Sequence, residues 1–419
     1  MRTTRLIPMM GVMLVPTQYA TYDSDKTGAT DFDVVVIGAR CAGAATAMLL
    51  AARGHDVLVV DRAEFPSDTL STHAISRGGI VALDRWGLLD EVISSGAPQI
   101  RKVSFHPPEG EPTHRVVKDH AGVDFVLAPR RYVLDEIVLD GARRAGASID
   151  TGVSATGVMR DDDGRVGGVH LRDRRGNERA IRSRFVVGAD GVRSRIARSV
   201  GARIIDQRPA EGATYYTYAS GLAIEGAELH PGTRGSAGVI ETHNGESNVW
   251  VCVPADRALS PTESRGAAFL GLLAEVAPAL AARVHDAEIT APVRGALRLP
   301  NHVVEAAGPG WALAGDAAYH RDPVTGHGIT DAFRDAELLA THLGAVLRGE
   351  TSEAAGMACY SNERLRALRP IFELTCKLAE YPPLDEFLAL HRELSLLIEL
   401  EAEWFVSRPP IPRRDCVTA

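Results

Sequence analysis

Residues 33–61 read DVVVIGARCAGAATAMLLAARGHDVLVVD, and the class of fold can be inferred from them. Its first run, Asp33–Ile37, is short, apolar and rich in β-branched residues, which is typical of a strand buried on both faces. An alanine-rich stretch over residues 44–53 favours a helix, and a second apolar run over residues 56–60 ends in Asp61. A strand, a tight turn, a helix and a strand ending in an acid make one βαβ unit. The stretch therefore predicts an α/β fold with a parallel sheet.

The turn between the first strand and the helix carries a dinucleotide signature. Gly38 and Gly43 supply two of the three glycines of GxGxxG, and Arg40 stands at the middle position. The first glycine permits the tight turn, and the helix N-terminus offers free N–H groups to a pyrophosphate. We expect the Arg40 side chain to point outward and to supplement this anion site. Asp61 follows Gly38 by 23 residues, where a carboxylate can accept hydrogen bonds from a ribose.

Two later segments also place an Asp at the end of an apolar strand. They are FVVGADGVRS at residues 185–194 and WALAGDAA at residues 311–318, and the second leads into HRDPVTGHGI at residues 320–329 and a predicted helix. With these segments the chain resembles the FAD-dependent monooxygenases of the aromatic-hydroxylase (p-hydroxybenzoate hydroxylase-like, PHBH-like) superfamily. Geranylgeranyl reductases and flavin-dependent halogenases are related to that superfamily. The resemblance covers most of residues 32–345 and implies FAD as the cofactor.

The resemblance also implies a domain organisation. It predicts a Rossmann-like FAD-binding domain of the GR2 type with an inserted antiparallel-sheet substrate domain and C-terminal helices. Alternating residues at 214–218 and 247–253 favour that antiparallel sheet, and an alanine-rich helix is predicted over residues 263–283. The predicted divisions are a disordered extension at 1–30, the FAD-binding domain at 31–200 and 295–350, the substrate domain at 201–294 and a helical region at 351–419.

The resemblance assigns cofactor roles to individual residues. The expected FAD contacts are Gly38, Arg40 and Gly43 at the pyrophosphate, Asp61 at the ribose with Arg62 beside it, Arg130 near the phosphates or ribityl chain, Asp190 and Gly191 at the pyrophosphate, Asp316 at a ribityl hydroxyl, and Pro323, Gly326, His327 and Gly328 at the pyrimidine side of the isoalloxazine. A glycine-rich turn before a long helix is an anion cradle whatever it binds. For Asp190, a plain Asp-Gly turn is the competing interpretation.

Two histidines are candidate catalytic residues. His73, with Thr72 beside it, follows the Asp61 strand after a loop that lies next to the flavin in this superfamily. His327 stands where relatives often carry glutamine. Histidine titrates near neutrality and can serve as an acid or a base. The alternatives are a structural or solvated histidine and, for Ser71 or Thr72, a cap on the helix predicted from residue 74.

Aromatic residues of the predicted middle sheet are candidates for the substrate site. Tyr216, Tyr218 and Trp250 alternate along predicted strands, and one face of that sheet would roof the substrate cavity. Aromatic residues that alternate on a strand are also common in a core, so both interpretations stay open.

Composition excludes several classes of protein. The 419 residues carry a net charge of −8 and are 45% hydrophobic, which is typical of a globular protein rather than of an integral membrane or nucleic-acid-binding protein. The five cysteines show no CxxC pair, so we predict neither a disulfide framework nor a metal site, and a reducing, cytoplasmic location.

The resemblance predicts an oxidoreductase. The first hypothesis is a monooxygenase that uses NADPH or NADH as a transient donor and O2, by way of a flavin C4a-hydroperoxide, to oxygenate a small natural-product or aromatic molecule. The alternatives are a reductase of isoprenoid-type double bonds and a cyclase or binding protein with structural FAD. Halogenation is disfavoured because Val249–Pro254 carries valines where the halogenase motif has two tryptophans. No second dinucleotide fold is predicted, and the protein is expected to be a monomer or a homodimer.

Overall fold

The computed structural model describes residues 31–71, 73–232, 235–260 and 264–410. The predicted extension at 1–30 and the candidate Thr72 lie outside the described residues.

A mostly parallel sheet forms the centre of the molecule. Its order is β17-β18-β8-β1-β2-β5, and β6 and β7 continue from β8 as an antiparallel ribbon. The strands are β1 (Phe32–Ile37), β2 (Val57–Asp61), β5 (Ser148–Thr151), β6 (Val153–Arg160), β7 (Val166–Asp173), β8 (Glu178–Gly188), β17 (Ala307–Gly308) and β18 (Trp311–Leu313). The residues of β1 are almost fully buried, as their continuous apolar pattern predicts.

A second sheet is mainly antiparallel and has the order β14-β10-β13-β12-β11-β3-β4, with β15 also paired to β10. Its strands are β3 (Lys102–Phe105), β4 (Thr113–Val116), β10 (Gly212–Ser220), β11 (Ala227–Gly232), β12 (Gly235–Glu241), β13 (Glu246–Pro254), β14 (Glu288–Ile289) and β15 (Arg294–Leu297). The alternation at 214–218 and 247–253 correctly predicted β10 and β13. The sheet reaches beyond the predicted 201–294, because β3 and β4 join it through a parallel pair between β3 and β11.

A small third sheet connects the two larger ones. Strand β16 (Asn301–Val304) pairs on one side with β9 (Ile204–Arg208) and on the other with β19 (Tyr319–His320).

The helices cover both large sheets. They are α1 (Cys41–Ala52), α2 (Arg77–Arg85), α3 (Leu89–Ser94), α4 (Arg131–Arg144), α5 (Arg195–Val200), α6 (Arg265–Val276), α7 (Pro278–His285), α8 (Gly328–Leu347), α9 (Glu353–Leu378) and α10 (Leu384–Val406). The single helix predicted over 263–283 is wrong. Pro278 starts a new helix at α7, because proline lacks the N–H that would continue α6.

Packing around α1 fixes the position of the first glycine turn. Helix α1 is buried along almost its whole length and lies between α4 and α8, against β1 and β2. Strands β1, β8 and β18 run parallel, so their carboxyl ends meet at one edge of the sheet. Ligands of open α/β sheets bind at that edge. In the part of the chain that the structure describes, no helix combines the length and the hydrophobicity that a transmembrane helix needs.

Candidate active site

The structure brings the three glycine- and aspartate-bearing segments into one groove. Gly38, Asp190 and Asp316 follow β1, β8 and β18, and all three line a cavity of about 860 Å³. This volume lies within the range of small-molecule and cofactor sites, about 300–1,000 Å³.

The turn after β1 requires glycine at two positions, because other backbone atoms lie very close to both. Gly38 has φ +107°, and a Cβ there would collide with the carbonyl oxygen of Ala189. A Cβ on Gly43 would collide with the carbonyl oxygen of Gly38. Both positions therefore need glycine for packing, and the N-terminus of α1 is left open to the groove. No side chain caps that terminus.

The Asp61 carboxylate shapes the same turn. It accepts hydrogen bonds from the backbone N–H groups of Ala39 at 2.8 Å and Ala63 at 2.7 Å. Asp61 and the exposed Arg62 both line the groove. Each carboxylate oxygen of Asp61 already accepts one hydrogen bond from the backbone. The predicted contact between Asp61 and a ribose hydroxyl stays a prediction.

Arg40 lines the groove but does not point outward as expected. Its guanidinium pairs with the buried carboxylate of Asp135 at 2.5 Å and donates to the carbonyl oxygen of Ser67 at 3.1 Å. The expectation was wrong because the partner of Arg40 is distant in sequence. Asp135 lies on α4 and is fully buried, and no pattern near Arg40 predicts this contact. A buried carboxylate needs a cationic partner.

Arg131, rather than Arg130, lines the groove beside α1. Arg130 pairs with Asp68 at 3.3 Å and with Glu246 at 2.6 Å, and its guanidinium lies 3.6 Å from the ring centre of Tyr218. Arg130 therefore links Glu246 of β13 to Asp68 in the loop after β2 through ion pairs. It is not among the residues that line the groove. The sequence did not single out Arg131, and the FAD contact expected of Arg130 stays a prediction.

Asp190 has a structural task at the groove wall. Its carboxylate accepts hydrogen bonds from the Ser194 hydroxyl at 2.5 Å and from the backbone N–H groups of Arg195 at 2.6 Å and Ile196 at 3.2 Å. Asp190 thus holds the start of α5, in line with the turn interpretation. Gly191 has φ +82°, a conformation that favours glycine.

Asp316 differs from the other two aspartates. It is exposed in the groove, and among the described residues no hydrogen bond or ion pair reaches its carboxylate. Its carboxylate can accept hydrogen bonds from hydroxyl groups. The helices α1 and α8 also begin at this groove without a side-chain cap, and the N–H groups at their N-termini can donate hydrogen bonds to phosphates. The residues present therefore fit a dinucleotide such as FAD.

The segment from Pro323 to Gly328 forms the far end of the groove. Pro323 opens a single helical turn that ends at Gly326, where φ is +61°, and Gly328 is the first residue of α8. Pro323, Gly326, His327 and Gly328 all line the groove, as the predicted pyrimidine-side contacts require.

His327 belongs to a buried network of charges that the sequence did not reveal. Its Nε2 lies 2.5 Å from Oε2 of Glu401, and Arg334 donates to the other Glu401 oxygen at 2.7 Å. Arg334 and Arg321 both pair with Asp331. Burial alone would raise the pKa of the Glu401 carboxyl, but His327 and Arg334 more than offset this, so its pKa is lowered. Glu401 therefore stays ionised and holds His327 in place.

His73 is buried behind the groove rather than in it. It is fully enclosed, has φ +64°, and its Nε2 contacts the hydroxyl of Tyr218. Burial, with the charges of Arg131 and Arg130, holds the pKa of His73 well below its ordinary value. His73 is thus a neutral residue without direct contact with the groove.

The cap interpretation for Ser71 is also wrong. Helix α2 begins only at Arg77, and the Ser71 hydroxyl instead accepts a hydrogen bond from the His73 N–H at 3.0 Å.

The predicted aromatic residues share one face of the second sheet. Tyr216 pairs with Trp250 across β10 and β13, and Tyr218 lies two residues further along β10 on the same side. Tyr216 lines the groove, and its hydroxyl accepts from the Ser71 N–H at 3.3 Å. Trp250 lies over Gly238, where any Cβ would collide with the indole. The roles of the three residues toward a substrate stay predictions.

Among the described residues, two groups of histidines and carboxylates lie close enough to share a cation. In both groups an arginine already pairs with a carboxylate. One is His327, Asp331 and Glu401, described above. The other is His106 with Glu228 and His230 of β11, where Arg283 donates to Glu228 at 3.0 Å. The four described cysteines are free.

Comparison with known proteins agrees with this geometry. The family model "FAD binding domain" (FAD_binding_3) matches residues 31–375. The chain therefore belongs to the FAD_binding_3 family, within the PHBH-like superfamily, and is an FAD-dependent oxidoreductase.

Among curated proteins the chain is similar to two kinds of reductase. It is 30% identical to a menaquinone reductase of Mycolicibacterium smegmatis over 74% of this chain and 76% of the relative. It is 28% identical to a digeranylgeranylglycerophospholipid reductase of Methanosarcina acetivorans over 72% of each chain. A solved structure, the myxobacterial chondrochloren halogenase CndH, shares the fold with a TM-score of 0.76 at 22% identity, over 91% of this chain and 92% of that one.

Proposed function

We propose that the protein is an FAD-dependent reductase that saturates a carbon–carbon double bond of an isoprenoid-type lipid or quinone. The observation that carries this proposal is the sequence similarity, at 28% and 30% identity, to reductases whose names include a geranylgeranyl lipid and menaquinone. It was the second of the two redox hypotheses that the sequence allowed.

The residues of the groove would hold the cofactor along its length. The N-terminus of α1 with Gly38 and Gly43 would bind the pyrophosphate, Asp316 a ribityl hydroxyl, and the N-terminus of α8 the pyrimidine edge of the isoalloxazine. FAD, when bound, would supply the hydride transfer for this reduction. The chain's own residues bind, orient and exclude water.

Saturation of a double bond also needs a proton. Asp322 is buried and lines the groove next to Pro323. Burial raises the pKa of its carboxyl, although a backbone hydrogen bond from Val324 opposes the shift. A raised pKa favours the protonated form, so Asp322 would supply a proton at the groove.

Oxygenation with O2 and NADPH or NADH is the second candidate. The observation that favours it is the buried roof over the groove, where Tyr216 on β10 is only 2% exposed. Oxygen transfer from a flavin depends on such exclusion of water.

One experiment separates the two. The flavin-loaded protein is reduced chemically without oxygen and offered menaquinone and a geranylgeranyl lipid. A reductase of carbon–carbon double bonds forms a product that is still two hydrogens heavier after any quinol has been reoxidised to the quinone in air. A product that appears only with O2 and NAD(P)H, and that contains label from ¹⁸O2, would overturn the reductase proposal and establish the monooxygenase.

A further inference from the structure

Two histidines and a glutamate come together where β3 pairs with β11 in the second sheet. Glu228 and His230 are two residues apart on β11, so their side chains project from the same face. His106 directly follows β3, and its backbone N–H donates to the carbonyl oxygen of Leu229 at 2.9 Å. The imidazole of His106 therefore stacks on that of His230, with ring centres 4.4 Å apart and an interplanar angle of 17°. We call His106, Glu228 and His230 the histidine cluster.

The spacing of the three ligand atoms is that of a metal site. Oε2 of Glu228 lies 3.0 Å from Nε2 of His230 and 3.7 Å from Nε2 of His106. All three atoms lie within 4.8 Å of one another. Zinc binds nitrogen and oxygen at about 2.0–2.2 Å, so two ligands of a tetrahedral zinc ion are about 3.3–3.6 Å apart. The two separations from Oε2 bracket this range, so the three atoms can surround one ion.

One of these atoms lacks a partner. The Nε2 of His106 is buried and makes no hydrogen bond among the described residues. It faces Oε2 of Glu228 at 3.7 Å, which is too long for a hydrogen bond. A buried polar atom without a partner costs free energy, and a bound metal ion would remove that cost.

The protonation states of the histidine cluster suit a metal ion. Burial, with the neighbouring His230, lowers the pKa of His106, so its imidazole is neutral at pH 7. Burial alone would raise the pKa of Glu228, but hydrogen bonds from His230 and Arg283 lower it to about 2, so its carboxylate is ionised. Metal ions bind neutral imidazoles and ionised carboxylates. Two histidines and one glutamate are a ligand set that zinc uses in proteins, with water in the fourth position.

Arg283 competes with a metal ion for the carboxylate. Its Nη1 donates to Oε1 of Glu228 at 3.0 Å, and its Nη2 donates to Oε2. The Arg283 side chain is 33% exposed, so it can move away from Oε2 into solvent. Its hydrogen bond to Oε1 can persist, since carboxylates that bind metals commonly accept a further hydrogen bond. Arg283 would therefore weaken metal binding without preventing it.

We propose that the histidine cluster binds one Zn²⁺ ion per chain through Nε2 of His106, Nε2 of His230 and Oε2 of Glu228. The ion links the end of β3 to β11 and so stabilises the attachment of the hairpin of β3 and β4 to the second sheet. None of the three ligands is among the described residues that line the groove, so the site is separate from the proposed reaction. The sequence predicted no metal site, because His106 meets the other two ligands only through the pairing of β3 with β11.

The test measures zinc binding by isothermal titration calorimetry. The flavin-loaded full-length protein carries no affinity tag, is treated with EDTA, and is then freed of EDTA before ZnCl₂ is added. The ligand variants are His106→Ala and Glu228→Gln, and Arg283→Gln removes the competing cation. The matched control is His170→Ala, which removes an exposed histidine from β7. Flavin content and the melting temperature without metal show that each variant is folded.

The unaltered protein should bind one equivalent of Zn²⁺. His106→Ala and Glu228→Gln should each lower the affinity by at least about 10- to 100-fold, since changes around a metal site typically cost this much even when no ligand is lost. His170→Ala should bind as the unaltered protein does, and Arg283→Gln should bind more tightly.

Thermal unfolding provides a second measurement. Zinc should raise the melting temperature of the unaltered protein but not that of His106→Ala, because an ion that binds only the folded chain stabilises it. His106 is only half-buried, so this variant is the less disruptive of the two ligand variants. A failure of the unaltered protein to bind zinc, or the same affinity in both ligand variants as in the unaltered protein, would overturn the proposal.

Discussion

At the scale of single residues, three aspartates with similar sequence contexts differ in the hydrogen bonds that their carboxylates accept. Asp61 is the last residue of β2, and Asp190 and Asp316 follow β8 and β18 at the same edge of the sheet. Asp61 and Asp190 accept hydrogen bonds from the backbone of their own turns. Only Asp316 presents a carboxylate that no described residue engages. The sequence could find the position of all three but not this difference, because it depends on which N–H groups the folded turns bring near.

The difference predicts opposite effects of two substitutions. Asp316→Ala should weaken FAD binding by about 10- to 100-fold, the worth of a hydrogen bond to a charged acceptor, while the melting temperature of the apoprotein changes little. Asp190→Ala should lower the free energy of unfolding of the apoprotein by about 1 kcal/mol, because α5 loses hydrogen bonds at its start. FAD titration and urea unfolding measure the two quantities.

The exposed Asp56, at the opposite end of β2, provides the control. Asp56→Ala should change neither quantity. Full FAD affinity in Asp316→Ala would contradict the ribityl assignment.

A second residue-scale prediction concerns Glu401. Glu401→Gln leaves Arg334 without one of its two carboxylate partners in a buried site, which should cost about 3–5 kcal/mol of unfolding free energy. Release of His327 should also weaken FAD retention.

Glu399→Gln is the matched control, since Glu399 lies on the same helix and its ion pair with Arg77 is 3.3 Å long and partly exposed. That pair should contribute at most about 1 kcal/mol. Equal effects of the two substitutions in urea unfolding would show that the buried network does not stabilise the fold.

At the scale of the element, α10 contacts a residue that lines the groove without lining the groove itself. It carries Glu401 to His327 and packs its apolar residues Phe387, Leu390 and Leu394 against α9. The sequence predicts the helix but not its partner. Glu401 follows His327 by 74 residues, and a glutamate on an amphipathic helix is typical of a solvated face. When a charged side chain is buried against a partner that is distant in sequence, the residues around it show no pattern that predicts the burial.

The docking of α10 predicts an acid sensitivity. His391 packs between Phe105 and Phe387, and burial lowers its pKa to about 4, from an ordinary value of 6.5. The unfolded chain therefore binds a proton more readily than the folded one between these values, so the free energy of unfolding falls as the pH drops from 6.5 toward 4. At pH 5 this contribution is up to about 2 kcal/mol.

Replacement of His391 tests the contribution. In His391→Phe the loss of unfolding free energy between pH 7 and pH 5, measured with urea, should shrink by up to about 2 kcal/mol relative to the unaltered protein. His170→Phe, at an exposed position of β7, is the control and should leave the loss unchanged. An identical pH dependence in His391→Phe and the unaltered protein would rule out His391 as its source.

At the scale of the whole molecule, one groove is assembled from segments that lie far apart in the chain. The glycine turn at Gly38, the strand end at Asp316 and the start of α8 were all predictable, because each is a local pattern of strand, turn and helix. The inward turn of Arg40, the place of Arg131 and the burial of His73 were not. Each depends on a partner distant in sequence, such as Asp135 or Tyr218. The predicted divisions at residues 200, 294 and 350 stay predictions.

A crystal structure of the protein with FAD would show whether the groove holds one FAD along its whole length. We expect one FAD per chain, with the pyrophosphate at the N-terminus of α1, the ribityl chain beside Asp316 and the isoalloxazine at Gly326–Gly328. FAD bound elsewhere, or in the groove with its isoalloxazine at the Gly38 end, would contradict it.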